Sequence, residues 1–164
     1  MNNGKKAEII IVAPHPDDEI IGCYSILKNK DISPVIIYTE NISNERREEA
    51  LKLKNYITNI KVQLFQKSIP GHLLSPQNTY YFPDPTYEFH PAHRMCGAIG
   101  ENFMREMRYN VIFYNVNMQA PYIFEVRDKE DKKKLLNEVY PSQKDLWESD
   151  AKYYLFEGYC KWLI

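Results

Sequence analysis

Glu8-Ile-Ile-Ile-Val-Ala-Pro-His-Pro-Asp-Asp-Glu-Ile20 carries the two signals that decide the fold. Its first six residues, through Ala13, are a nearly continuous run of β-branched apolar side chains. That predicts a strand covered on both faces, hence a strand of a parallel sheet. Pro14 and the polar cluster behind it end the strand, and from Asp18 to Asn29 the residues Ile20, Ile21, Tyr24 and Leu27 fall at helical spacing. The pattern then repeats. Pro34-Val-Ile-Ile-Tyr-Thr39 predicts a second strand and Lys61–Phe65 a third. Between them Asn44–Tyr56 reads as a helix, with acidic residues in its first turn and lysines in its last. Strand, helix, strand, helix, strand at this spacing opens an α/β domain with a mostly parallel sheet and right-handed crossovers.

Farther along, Gln66–Pro91 loses all periodicity and has prolines at 70, 76, 83, 85 and 91, which predicts a long loop of the kind that carries function. Met95–Met107 has helical spacing, Val111-Ile-Phe-Tyr114 reads as a core strand, and Pro121–Val126 as an additional or edge strand. Lys132–Val139 and Asp145–Leu163 read as helices, the second offering Leu146, Trp147, Tyr154, Leu155 and Trp162 for packing. No linker or repeat interrupts the chain, so residues 1–164 are expected to form one domain. At 44% hydrophobic residues it can bury a continuous core.

A formal charge of -1, from 21 basic and 22 acidic side chains, supplies no positive field for nucleic acid or an anionic membrane. The apolar run Ile9–Val12 is too short for a signal sequence, and no window has the roughly 18 apolar residues of a membrane span, so a cytoplasmic protein is expected. Cys23, Cys96 and Cys160 are isolated, which predicts buried, reduced thiols. Charges alternate in sign across Arg127–Lys134, the pattern of a solvated surface or helix start.

Ala13-Pro-His-Pro-Asp-Asp-Glu-Ile20 begins where the first predicted strand ends, the place where open parallel sheets bind ligands. His15 and Asp18 are three residues apart across a strand-to-helix turn, so both side chains can face one point. Zinc accepts imidazole nitrogen and carboxylate oxygen, and catalytic sites typically use three protein ligands. A second pair lies in Phe89-His-Pro-Ala-His-Arg94, which holds two of the chain's four histidines, His90 and His93. One can ligate a metal while the other faces a substrate; His72 reads as a surface or capping residue.

Pro14-His-Pro-Asp-Asp-Glu19 and His90-Pro-Ala-His-Arg94 together resemble the two histidine motifs of the LmbE-like, or PIG-L, family of zinc-dependent de-N-acetylases. That family includes the enzyme acting on N-acetylglucosaminyl-phosphatidylinositol and the sugar deacetylases of mycothiol and bacillithiol synthesis. Weaker agreement runs through Thr39, the Arg46–Ala50 helix start and Tyr140-Pro-Ser-Gln143. The resemblance implies a Rossmann-like sheet, Zn2+ held by His15, Asp18 and His93, a general base at Asp17 and a polarising histidine at His90. The substrate it implies is a small N-acetylated amino sugar or its conjugate.

The chemistry of amide hydrolysis fits these assignments. Asp17 can take a proton from water and pass it to the leaving nitrogen, and His90, as imidazolium, can hold the oxyanion. Glu19 suits a supporting role behind the ligands. Arg46 and Arg47 offer a cation near the second strand for a substrate hydroxyl or phosphate, with Arg46 preferred. Tyr80-Tyr-Phe82, with Tyr87 and Phe89, offers aromatic faces for a sugar ring.

Two positions depart from the family pattern. Ile69-Pro-Gly-His-Leu73 lacks the aspartate of the family's Pro-Asp-Gly segment, and Ala92 replaces the aspartate that commonly lies between the two histidines. The first keeps open an acylated amine that is not a hexosamine, such as a modified nucleotide or small metabolite. A non-catalytic nucleotide- or metal-binding module also remains open, although the first turn has no glycine-rich phosphate loop. The chain is short for the family, which implies an open cleft or one completed by a second copy in a homo-oligomer.

Overall fold

Ile9–Ala13 forms β1, and Ile10 to Ala13 are buried, as a strand with helices on both sides requires. In the computed structural model, which describes residues 7–160, β1 lies inside a seven-stranded sheet. It pairs in parallel with β2 (Val35–Tyr38), which pairs with β3 (Val62–Phe65). On its other side it pairs with β4 (Thr79–Pro83), followed by β5 (Asn110–Asn115), again in parallel. Two antiparallel strands complete the order β3-β2-β1-β4-β5-β7-β6, with β6 at Tyr122–Glu125 and β7 at Phe156–Cys160. This is the expected Rossmann-like α/β sheet, open and mostly parallel. The chain builds outward from β1 to β3 and then returns to the opposite side of β1, so the strand order switches between β1 and β4. Ligands gather at the carboxyl ends flanking such a switch.

Alternation along β1 sorts the core into two layers. Ile11 and Ala13 face α1 (Asp18–Leu27) and α4 (Lys129–Val139), while Ile10 and Val12 lie in the layer with Phe103 and Met104 of α3 (Pro91–Arg105). Helix α2 (Asn44–Lys52) starts at Ser43, whose hydroxyl accepts the Arg46 N–H. Among the described residues no helix is long and apolar enough to cross a membrane. Cys23, Cys96 and Cys160 are free and buried.

Two segments differ from expectation. The stretch read as one long loop, 66–91, contains β4, whose Tyr80 and Phe82 are fully buried between β1 and β5. Thr79-Tyr-Tyr-Phe82 is a run of strong strand formers, and the prolines around it mark the ends of the strand. Tyr80, Tyr81 and Phe82 are therefore core residues and present no stacking face to a substrate. The helix expected over 145–163 is likewise broken. It divides into α5 (Lys144–Ser149) and α6 (Lys152–Leu155), with an extended Asp150 between them, and then becomes β7. Gly158 is a poor helix former, and a Cβ at that position would lie 3.2 Å from the Ala120 side chain. Trp162 lies outside the described residues.

The charged stretch 127–134 does start a helix, but Lys132 is fully buried rather than solvated. Helix α1 explains it. At Cys23 the backbone leaves helical geometry (φ -134, ψ 25), next to Gly22, where a Cβ would lie 2.3 Å from the Tyr114 ring. In a regular helix the Ser25 N–H would bond the Ile21 carbonyl. Here Ser25 N–H donates to Glu157 Oε1 at 2.9 Å, and the Ile21 carbonyl accepts from Lys132 Nζ at 2.7 Å.

Candidate metal centre

The turn after β1 places three consecutive carboxylates in three different environments. Asp18 opens α1, and its Oδ2 accepts the His15 backbone N–H at 2.8 Å. The same oxygen lies 3.4 Å from His15 Nδ1 and 3.2 Å from His93 Nε2, and those two nitrogens are 3.3 Å apart. His93 reaches this corner from the first turn of α3, which Pro91 starts at its favoured helical position. One ligand atom from each of His15, His90 and His93 also falls within 4.8 Å of the others, so the cluster can hold a metal ion. Of the two overlapping trios, His15, Asp18 and His93 form the tighter one. Its edges match the roughly 3.3 Å between tetrahedral ligands at zinc-nitrogen and zinc-oxygen distances of about 2.0–2.1 Å.

Asp17 points elsewhere. Its backbone is in the left-handed region (φ 107), a placement that costs an L-residue on the order of 1–3 kcal/mol. The turn holds it there from two sides: its N–H donates to Glu19 Oε2 at 3.1 Å, and its Oδ2 lies 3.2 Å from Arg46 Nη2. Arg46 also donates to the Pro16 carbonyl. Burial, and next the Asp18 charge, hold the Asp17 carboxyl well above the ordinary carboxylate range, although Arg46 opposes them. Asp18 goes the other way. Burial raises its pKa, but His93 and His15 outweigh that and keep it well below the usual range. Glu19 is fully buried, accepts the Tyr140 hydroxyl, and is pushed up to about 7, chiefly by burial.

His90 is the N-cap of α3. Its Nδ1 accepts the Ala92 N–H at 3.2 Å, so the ring's proton is on Nε2, and its ring stands 4.9 Å from that of His15 in an edge-on arrangement. Burial first, and then the neighbouring His93 and His15, hold its pKa below the ordinary value. The expected imidazolium is thus replaced by a neutral imidazole, which still presents one N–H donor.

These groups line a cavity of about 330 Å³ that includes His15, Asp17, Asp18, Arg46, His90 and His93. Of the two arginines only Arg46 reaches it; Arg47 lies 4.5 Å over the ring of Phe65, the last residue of β3. Tyr87 is not on its wall, and its carbonyl instead accepts from Asn117. Phe89, 73% exposed, stands at the wall beside His90. Sequence reasoning gave no site role to Glu88, Val116, Asn117, Gln143, Leu146 and Tyr153, which complete the lining. Leu146 and Tyr153 come from the segment read as one helix, where Leu146 was expected to pack, and Gln143 ends the Tyr140-Pro-Ser-Gln143 stretch just before it. Glu88 had one available signal, a carboxylate two residues before a histidine pair.

Comparisons with protein-family models, with curated proteins and with solved structures gave no match to this chain.

Proposed function

We propose that this protein is a zinc-dependent amide hydrolase that removes the acetyl group from an N-acetylated amino sugar or its conjugate, in the cytoplasm. The observation that carries the reading is the triangle of His15 Nδ1, Asp18 Oδ2 and His93 Nε2, with edges of 3.2–3.4 Å, beside a separate carboxylate at Asp17. His15, Asp18 and His93 would hold the ion, leaving one side toward the cavity. Zinc in such a place supplies a Lewis acid for the amide carbonyl and lowers the pKa of water.

The chain's own residues divide the remaining work. Asp17 receives a proton from the attacking water and delivers it to the departing amine, a task that burial favours by raising the carboxyl's proton affinity. Arg46 fixes the Asp17 carboxylate and faces the cavity as well, so it can hold a substrate oxygen. His90 Nε2–H donates to the oxyanion as the carbonyl becomes tetrahedral. Phe89 and Tyr153 offer apolar faces to a sugar ring, and Asn117 and Gln143 offer amides to its hydroxyls. Arg47 and Tyr87 have no part in this reading, because neither side chain lines the cavity.

The test is a screen of zinc-loaded protein against N-acetylated sugars, nucleotide sugars and glycosides, read by release of free amine. Turnover on at least one sugar, abolished by chelation and restored by zinc, is the expected result. Zinc binding with turnover only on acylated amines lacking a hexosamine would move the substrate to the other class. Zinc binding with no turnover on either class would leave a binding module.

A further inference from the structure

Glu88 is a buried carboxylate in a loop, 3% exposed, and among the described residues no lysine or arginine pairs with it. Asp84 builds the turn that delivers it, by accepting the N–H groups of Thr86 and Tyr87 on one oxygen. The two oxygens of Glu88 then have separate partners. Oε1 accepts the backbone N–H of Val116, just past the end of β5, and Oε2 lies 3.2 Å from His93 Nδ1. A buried anion of this kind needs a proton donor or a cation on every face that water has left. His93 is the side chain that supplies one.

We propose that Glu88 is a positioning residue that ties down the Nδ1 proton of His93 and so turns the His93 Nε2 lone pair toward the corner made by His15 and Asp18. The proposal rests on the reading of that corner as a metal site and extends it. Residue 92, between the two histidines, is alanine and brings no carboxylate to the ring. Glu88 supplies that carboxylate instead, with its other oxygen held by the Val116 N–H just past the end of β5, so the ring angle and the tautomer are set from outside α3. Metal-bound histidines generally give their other N–H to a carboxylate or carbonyl, and losing that partner typically costs 10–100-fold in metal affinity.

Glutamine at 88 is an instructive replacement because it has one acceptor where two are needed. If its oxygen stays on the Val116 N–H, its NH2 faces His93 Nδ1 and favours the wrong tautomer. If it turns to serve His93, the NH2 opposes the Val116 N–H. The experiment therefore uses three measurements on the full chain: zinc affinity by competition with a chelator, the thermal midpoint of the metal-free protein, and the imidazole proton signals of 15N-histidine-labelled protein, with His93→Gln for assignment.

The expected result has two parts. The parent shows a hydrogen-bonded, slowly exchanging His93 Nδ1 proton, which Glu88→Gln loses. Zinc binds the variant 10–100-fold more weakly, while the metal-free variant still unfolds cooperatively at a lower midpoint. Parental zinc affinity in folded Glu88→Gln, or absence of the bonded proton in the parent, overturns the proposal. If Glu88→Gln does not fold, the parent's proton signal and the affinity of Glu88→Asp decide in its place. A parent that shows the bonded proton but binds no zinc would instead remove the metal reading and leave the Glu88 orientation intact.

Discussion

Two buried charge clusters, about one helix apart, are built on opposite rules. Under α1, Lys132 Nζ donates to the carbonyls of Ile21 at 2.7 Å and Phe156 at 2.9 Å, while both oxygens of Glu157 accept from Ser25. The Ile21 carbonyl and the Ser25 N–H are backbone groups freed where α1 breaks at Cys23, and the Phe156 carbonyl stands where β7 begins. At the carboxyl end of β1 the arrangement is less complete. Asp17 and Asp18 are adjacent like charges, Asp17 has a strained backbone, and the buried Arg46 Nε has no partner among the described residues. Charges that secure a fold are saturated by the fold itself, whereas charges that do chemistry keep a valence for what enters the cavity.

The contrast breaks most directly at Asp17. Asp17→Asn keeps the size of the side chain and its reach to Arg46 but removes the basic carboxylate, so turnover should fall about 10²- to 10⁴-fold with zinc still bound. Asp18→Asn should lose the zinc instead, because a neutral amide is a poorer ligand than a carboxylate. Zinc counted by elemental analysis in the samples used for kinetics separates the two. Near-normal turnover in Asp17→Asn, or equal zinc loss in both variants, would mean that the two carboxylates share one task.

His90 comes next in expected size. It caps α3 through Nδ1 and offers Nε2–H to the cavity, so His90→Ala should keep the metal and lower turnover about 100- to 1000-fold. Part of any stability loss would come from the missing cap, worth about 1 kcal/mol. His90→Asn separates the two effects, since its oxygen can cap the helix while its shorter side chain cannot reach the oxyanion. Loss of zinc in either variant would assign His90 to the ligand set, where the three-histidine trio within 4.8 Å would place it.

How much of this the chain disclosed depended on the range of the interaction. The first three strands and two helices follow from local periodicity, and the returning histidine motif needed only its own residues to be noticed. Strand β4 was hidden because five prolines around it outweighed four strand-forming residues. β7 was hidden because it pairs with β5 and β6, strands far from it in the sequence, while Tyr154 and Leu155 upstream fit a helix. Arg46 and Arg47 are neighbours on a helix and so point about 100° apart, a difference that no alignment of a single chain resolves. Glu88 carries no periodic signal at all, since its partners are a ring five residues on and a backbone N–H just past the end of β5.

The smallest expected effect tests the saturated cluster. Burial pushes the Lys132 ammonium down to about 8, partly opposed by Glu157, whereas in the unfolded chain it returns to about 10.4. Between those values the unfolded state holds a proton that the folded state has released, so this lysine makes stability rise with pH across that window. Its burial penalty is fully present below about pH 8, and its relief by about pH 10.4 is worth on the order of 3 kcal/mol. A neutral amine still has two hydrogens for its two carbonyl acceptors, so the socket stays closed as the charge leaves. Lys132→Met removes the titration and leaves the Ile21 and Phe156 carbonyls without this donor, a loss of about 1–3 kcal/mol that the removal of the buried charge offsets at neutral pH. Tyrosine and cysteine ionisation destabilises both proteins at alkaline pH and cancels in the comparison. Urea unfolding from pH 7 to 10 should therefore show the gap between parent and Lys132→Met widening with pH, by at most about 1.4 kcal/mol per unit for one proton. Parallel curves would show that Lys132 titrates as an ordinary lysine and that its socket is open to water.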